Sequence, residues 1–132
     1  MTEHTPVGKT KTQGWEIGVR RTFPIDPQTA WNLLMTQPGL GYWLGGPIDP
    51  QFVKGATITT AEGLTGEIRS FTIGSLIRLT WQPPGADHPS TLQIRVLPAR
   101  SGATISFHHE RLDDAAHREA MQRHWSAVLD HL

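Results

Sequence analysis

The central part of this sequence alternates apolar and polar residues in short segments that turn residues separate. Such period-two patterns predict strands, here over 55–61, 64–71, 75–82, 90–97 and 102–110. Short turns join them, at Glu62-Gly63, Ile73-Gly74, Pro83-Pro84-Gly85 and Arg100-Ser101-Gly102. Parallel strands need a longer crossover, so the sequence predicts an antiparallel meander.

This meander has one apolar face and one polar face. The predicted inner face carries Ile77, Leu79, Trp81, Leu92, Ile94, Val96, Ala103, Ile105, Phe107 and His109. The predicted outer face carries Arg78, Thr80, Gln93, Arg95, Thr104, Ser106 and Glu110. That contrast is typical of a sheet that contacts water on one side.

A further strand and two short helices are predicted before the meander. Residues 15–23 alternate, and Arg21 is a charged residue on their apolar face. Asp26 is the predicted N-cap of a helix over 28–36, with Pro27 at its first position. Pro38-Gly39 ends this helix, and 40–44 reads as a turn or a helix fragment whose apolar residues are expected to be exposed, as a lid or a dimer surface.

The chain ends in a predicted amphipathic helix. Asp113 or Asp114 is its N-cap. Its apolar stripe consists of Met121, Trp125, Val128, Leu129 and Leu132. One apolar sheet face and one apolar helix stripe must cover each other, so we predict an α+β fold in which a curved antiparallel sheet wraps around the C-terminal helix.

Composition excludes several classes of function. The chain has 132 residues, which fits a tail over 1–13 and one domain over 14–132. The absence of cysteine excludes disulfides and thiolate catalysis. With 12 basic and 12 acidic residues the net charge is zero, so no nucleic-acid partner is expected. No membrane span or signal peptide is recognisable, and we expect a cytoplasmic protein.

An ordered set of residues resembles a known superfamily. The set comprises Phe23-Pro24-Ile25-Asp26-Pro27, Ala30-Trp31, Pro38, Tyr42-Trp43, Gly55, Gly66-Glu67-Ile68, the segment from Leu76 to Trp81, Gly102-Ala103-Thr104 and the segment from His124 to Leu129. Together they are similar to the helix-grip (SRPBCC) superfamily, which includes START domains, Bet v allergens and polyketide cyclases. Within it, the group named for the activator of heat-shock-protein-90 ATPase is the most similar.

The resemblance implies a cavity between the sheet and the C-terminal helix that holds a hydrophobic or amphipathic small molecule or a lipid. The expected ligand-binding residues are Trp31, Tyr42, Trp43, Trp81, Phe107, His109, Met121, Trp125 and Arg21. Arg111 shares the inward phase of Arg21 and is a second candidate for a ligand carboxylate, although both could simply be solvated. We expect no cofactor.

Two other functions stay open beside non-catalytic binding. One is a cyclase- or hydratase-like enzyme in which His109 performs acid–base chemistry, although a buried histidine more often bonds a neighbouring group. The other is a stress-response co-chaperone, less favoured because the additional N-terminal domain of the eukaryotic co-chaperone is missing. His117, His124 and His131 recur every seven residues, about 10 Å apart along a helix, so no metal site is expected.

Overall fold

The computed structural model describes residues 9–10, 14–46 and 51–132. Within these ranges, seven strands form one antiparallel sheet in the order β1-β2-β7-β6-β5-β4-β3. They are β1 Lys9–Thr10, β2 Gly14–Phe23, β3 Thr57–Thr59, β4 Thr65–Thr72, β5 Leu76–Trp81, β6 Ser90–Ala99 and β7 Gly102–Leu112. The helices are α1 Pro27–Met35, α2 Gly39–Leu44 and α3 Ala115–His131. This is the predicted α+β helix-grip architecture.

The predicted elements and caps agree with the structure to within a few residues. Asp26 accepts a hydrogen bond of 2.7 Å from the backbone amide of Thr29 and so caps α1. Asp114 accepts one of 2.7 Å from the amide of His117, so it is the second of the two candidate aspartates that caps α3. Most of the predicted tail lies outside the described residues, and its described pair, Lys9–Thr10, forms a short strand against β2.

The core lies between the sheet and the three helices. Every residue predicted for the inner face of the meander is buried. Helix α1 contributes Ala30, Trp31 and Leu34 to the same core. Helix α2 packs against α1, where the indole of Trp43 donates a hydrogen bond of 2.7 Å to the carbonyl of Leu34.

Helix α3 is attached to the sheet by apolar and polar contacts along its length. The Arg118 Nε donates a hydrogen bond of 2.8 Å to the carbonyl of Glu16 on β2. At the other end of the helix, Asp130 forms an ion pair with Arg21. Arg21 therefore lies on the inner face, as its position in the alternation predicts.

The outer face differs from the prediction at one residue. Glu110 lies on that face but is only 3% exposed. Its carboxylate is 3.1 Å from the guanidinium of Arg78 and 3.8 Å from the ring of His108. The expectation that Glu110 is solvated is wrong, because its carboxylate is buried beside the Arg78 and His108 side chains.

Two register shifts interrupt the ladders. On β2, Trp15 pairs with Leu112 and Ile17 pairs with His109. Between these two pairs the chain advances by three residues on β7 but by only two on β2. On β4, Ile68 pairs with Leu79 while Ser70 pairs with Arg78, which leaves Arg69 as the extra residue. Such bulges change the direction in which side chains point.

Gly66 is required by the close approach of β4 and β5. A Cβ atom at position 66 would lie 2.3 Å from the carbonyl oxygen of Thr80. At Gly18, on β2, a Cβ would lie 3.9 Å from the His108 side chain, which is ordinary contact. An added methyl group would therefore clash with backbone at position 66 but fit at position 18.

We predict that Gly66→Ala lowers the free energy of unfolding by about 2 kcal/mol or more, because the backbone must shift to relieve the clash. Gly18→Ala is the matched control and should change it by less than about 1 kcal/mol. Urea unfolding monitored by circular dichroism measures both values. Equal losses in the two variants would contradict the steric explanation.

Candidate functional site

A pocket of about 450 Å³ opens at the rim of the sheet, between α2, the β3–β4 hairpin, the end of β5 and α3. Its apolar and aromatic wall consists of Tyr42, Trp43, Leu44, Leu64, Trp81, Pro83, Pro84 and Met121. Thr60, Glu62 and His124 supply polar groups. An apolar wall with a few polar groups is typical of a small-molecule site.

Four of the nine residues expected to bind ligand lie on this wall, namely Tyr42, Trp43, Trp81 and Met121. They come from three different elements, which converge only in the folded chain. Tyr42 is the most exposed of them, at 39%, and its ring stacks on His131 with 5.0 Å between the centroids.

The expectation of an exposed apolar segment at residues 40–44 is wrong. Leu40, Trp43 and Leu44 are at most 8% exposed. The side of α2 that carries these three residues faces α1 and the core, where the Trp43 indole donates its hydrogen bond to the carbonyl of Leu34. Only Tyr42 of this segment presents a large apolar surface to solvent.

Four other expected residues lie inside the core or at the opposite side of α3. Trp31 packs against Phe71, with ring centroids 5.8 Å apart. Phe107 and Trp125 stack at 4.8 Å, almost parallel, and both are completely buried. Arg21 is held in its ion pair with Asp130 and does not line the pocket.

His109 is the centre of a buried chain of hydrogen bonds. The Trp125 Nε1 donates to His109 Nδ1 at 3.1 Å, so Nδ1 is the acceptor and Nε2 carries the proton. His109 Nε2 lies 2.6 Å from the hydroxyl of Ser90 and donates to it. The Ser90 hydroxyl in turn donates to the carbonyl of Trp81 at 3.0 Å. Both nitrogens of the fully buried ring therefore have a partner.

Burial lowers the pKa of His109 to about 3, with a smaller effect from the nearby His117, His124 and His108. The imidazole is therefore neutral at neutral pH. His124 lies closer to the pocket, with its ring 4.5 Å from that of Trp125, and burial lowers its pKa as well. The imidazole of His124 places a hydrogen-bonding group at the pocket wall.

Sequence reasoning missed several lining residues, among them Thr60, Leu64, Pro83, Pro84 and His124. The prolines read as turn residues, and the β3–β4 hairpin reads as an ordinary connection. Nothing in the local sequence predicts that these two loops approach α2 and α3. His124 lies one position before Trp125, and helical spacing alone did not distinguish it from a solvated histidine.

The described residues contain neither a metal-ligand cluster nor a membrane-spanning helix. No group of three or more His, Asp or Glu side chains in the described ranges could hold a metal ion. No helix among them is long and apolar enough to cross a membrane.

We predict that His109 makes folding sensitive to acid. Its pKa is about 3 in the folded chain and 6.5 for an ordinary histidine, so the unfolded chain binds one more proton between these values. The stabilisation is complete above about pH 6.5 and declines by about 1.4 kcal/mol per pH unit as the pH falls towards 3.

Denaturant unfolding of the wild type and of His109→Gln between about pH 7 and pH 4 measures this effect. Glutamine can still donate and accept hydrogen bonds but does not titrate, so the variant should lose less stability per pH unit. Its near-ultraviolet circular dichroism at neutral pH is the control for an intact core. Parallel pH profiles for the two proteins would contradict the assignment of this effect to His109.

Comparisons with known proteins agree on the fold. No protein-family model matches the sequence, and no curated protein is significantly similar to it. The Aha1 dimer from Colwellia psychrerythraea superimposes with a TM-score of 0.68, at 16% identity over 86% of this chain and 90% of its own. PFC0360w, an HSP90 activator from Plasmodium falciparum, gives 0.69, at 13% identity over 86% and 89%.

DynU16, a putative protein in the dynemicin biosynthetic locus, gives a TM-score of 0.75 at 12% identity. The match covers 87% of this chain but 44% of DynU16. Identities this low show the fold and leave the function open. This chain therefore shares the fold of these structures, in which an antiparallel sheet packs around a C-terminal helix.

Proposed function

We propose that this protein binds a hydrophobic or amphipathic small molecule in the pocket at the rim of the sheet, without catalysing a reaction. The observation that carries this proposal is the pocket of about 450 Å³ with the rings of Tyr42, Trp43 and Trp81 on its wall. A volume in this range suits a ligand the size of a typical cofactor or metabolite.

The aromatic walls are held in place from behind, which favours a preformed site. Trp43 is fixed by its hydrogen bond to Leu34. Trp81 packs edge-on against Trp125, with centroids 5.4 Å apart, and is 7% exposed. Rings that do not move on binding lose little conformational entropy, so more of the contact energy contributes to affinity.

The polar groups at the pocket favour an amphipathic ligand over a pure hydrocarbon. His124 and Glu62 lie on the same wall as the aromatic residues. The hydroxyl of Thr60 accepts a hydrogen bond from the amide of Leu64 at 3.1 Å, which leaves its own proton to donate. A ligand with one hydroxyl or carbonyl group could pair with these side chains.

The surroundings of His109 support binding over acid–base catalysis by this residue. A general acid or base must reach the proton that it transfers. The His109 ring is fully buried and both nitrogens are bonded, to Trp125 and Ser90. The residue is thus explained as a polar element of the core.

The co-chaperone alternative has weaker support. One protein of this fold is described as an HSP90 activator, but the identity of 13% is too low to transfer an activity. No feature of the described surface independently indicates a chaperone partner. A cytoplasmic location likewise stays part of this proposal.

We predict that Met121→Arg weakens binding of the uncharged fluorescent probe N-phenyl-1-naphthylamine by about tenfold, because it places a charge on the apolar wall. Met121→Leu keeps the wall apolar and should bind within about twofold of the wild type. Titrations followed by probe fluorescence give the dissociation constants. Ile73→Arg adds the same charge at a turn residue that is 79% exposed, away from the pocket.

Equal dissociation constants for the probe in Met121→Arg, Met121→Leu and Ile73→Arg would contradict the assignment of this pocket. Tryptophan fluorescence is an independent readout, since Trp81 lies on the wall. Quenching by a bound ligand should decrease in Trp81→Phe and persist in Trp15→Phe, which carries the same substitution on β2.

We also expect a small molecule to co-purify with protein isolated from its own host. Native mass spectrometry should show a stoichiometric adduct that denaturing extraction releases. Loss of that adduct in Met121→Arg, but not in Ile73→Arg, would place it in the pocket. An unliganded mass from every preparation would count against a carrier function.

A further inference from the structure

The outer face of the sheet carries a second depression, of about 370 Å³, on the opposite side of the strands from the ligand pocket. Its walls are Arg69, Arg78, Thr80, Pro89, Thr91 and Arg111. Three arginines thus share one concavity in a chain whose net charge is zero. The proposed ligand pocket does not explain this arrangement.

Both bulges of the sheet contribute an arginine to this depression. Arg69 is the extra residue of β4, between Ile68 and Ser70. Arg111 belongs to the β7 bulge and has a φ of 62°, the only positive value at a non-glycine residue among those described. Left-handed backbone at a residue with a side chain often marks a functional constraint.

The bulge explains why Arg111 reaches the outer face. In a regular strand it would point inward, as sequence alternation predicts. The shifted register instead leaves His109 and Leu112 both buried, and the exposed Arg111 lies at the end of the strand. There it borders the outer depression as well as a smaller one beside Trp81 and Ser90, so Arg111 is not confined to the inner face that the alternation predicts.

Arg78 lies on β5 and is held by two neighbours. One of its terminal nitrogens bonds Gln93 Oε1 at 3.3 Å and the buried Glu110 at 3.1 Å. The rest of its guanidinium has no partner among the described residues. A guanidinium anchored on one side can present its other donors without losing side-chain entropy.

The remaining groups add hydrogen-bond donors and positive charge. Thr80 accepts a bond from the amide of Glu67 at 2.8 Å, so its hydroxyl proton stays available. The hydroxyl of Thr91 has no partner in the described part of the chain. Arg69 lies 3.6 Å from Glu67 in a solvent-exposed pair, and for Arg111 no acidic partner is found among the described residues.

We infer that this depression binds a small anion with a phosphate or carboxylate group. Arginine donors match the oxygens of both groups, and hydroxyl groups complete such sites. The buried Glu110 neutralises Arg78 and keeps it in position, while Arg69 and Arg111 supply the charge that attracts the anion. This site does not depend on the proposed ligand pocket.

The experiment is a titration of the ¹⁵N-labelled protein with inorganic phosphate, and separately with succinate, at constant low ionic strength. The backbone amides of Thr80 and Thr91 and the arginine Nε–H signals report binding. We expect saturable shifts at these positions and a loss of affinity of about tenfold in Arg111→Gln and in Arg69→Gln.

Arg95→Gln is the matched control. Arg95 lies on the same face of the sheet, on β6, but outside the depression, and it too is exposed. Its substitution should change affinity by no more than about twofold, because it alters only the general field. Equal losses in all three variants, or no saturable shift with either anion, would overturn the proposal.

Phosphate groups also occur on lipids, and a second assay separates the two sources. The protein is sedimented with phosphatidylcholine vesicles with or without phosphatidic acid. Sedimentation that needs phosphatidic acid and Arg111 would assign a lipid headgroup. Phosphate binding without sedimentation would assign a soluble anion.

Discussion

The stacking of Trp125 on Phe107 is the contact on which the rest of the structure depends. It joins the middle of α3 to the middle of the sheet, with 4.8 Å between the ring centroids and no exposed surface. The same indole bonds His109, which fixes the tautomer of that ring and connects it through Ser90 to β5. Breaking this chain would leave buried polar atoms without partners, so the cluster permits one arrangement of helix and sheet.

This filled centre determines where a ligand can bind. Aromatic side chains occupy the space between sheet and helix that could otherwise form a deep cavity, because interiors pack at high density. The open volume lies instead at the rim, where α2 and two loops approach α3. Trp81 connects the two regions, since it packs against Trp125 on one side and lines the pocket on the other.

The alternation of the strands predicted most of the fold, because burial of one sheet face imposes a strict period of two. Turn residues and the aspartate caps located the ends of the elements for equally local reasons. The same rule failed at Arg111, which borders the outer depression beside a β-bulge, and at Glu110, which is buried beside Arg78 and His108. For the site, the aromatic residues were recognised as one set, but only part of that set lies on the pocket wall.

The sequence by itself determined the antiparallel meander, the amphipathic C-terminal helix and the requirement that they cover each other, because periodicity and turn chemistry are local properties. Tertiary structure alone decided which aromatic residues are core and which are wall, since Trp125 and Trp81 have the same chemistry and differ only in what packs against them. It also decided that Arg69 and Arg111 border the same depression on the outer face. This placement depends on the register between strands, which is a property of pairs of segments and cannot be read from either segment alone.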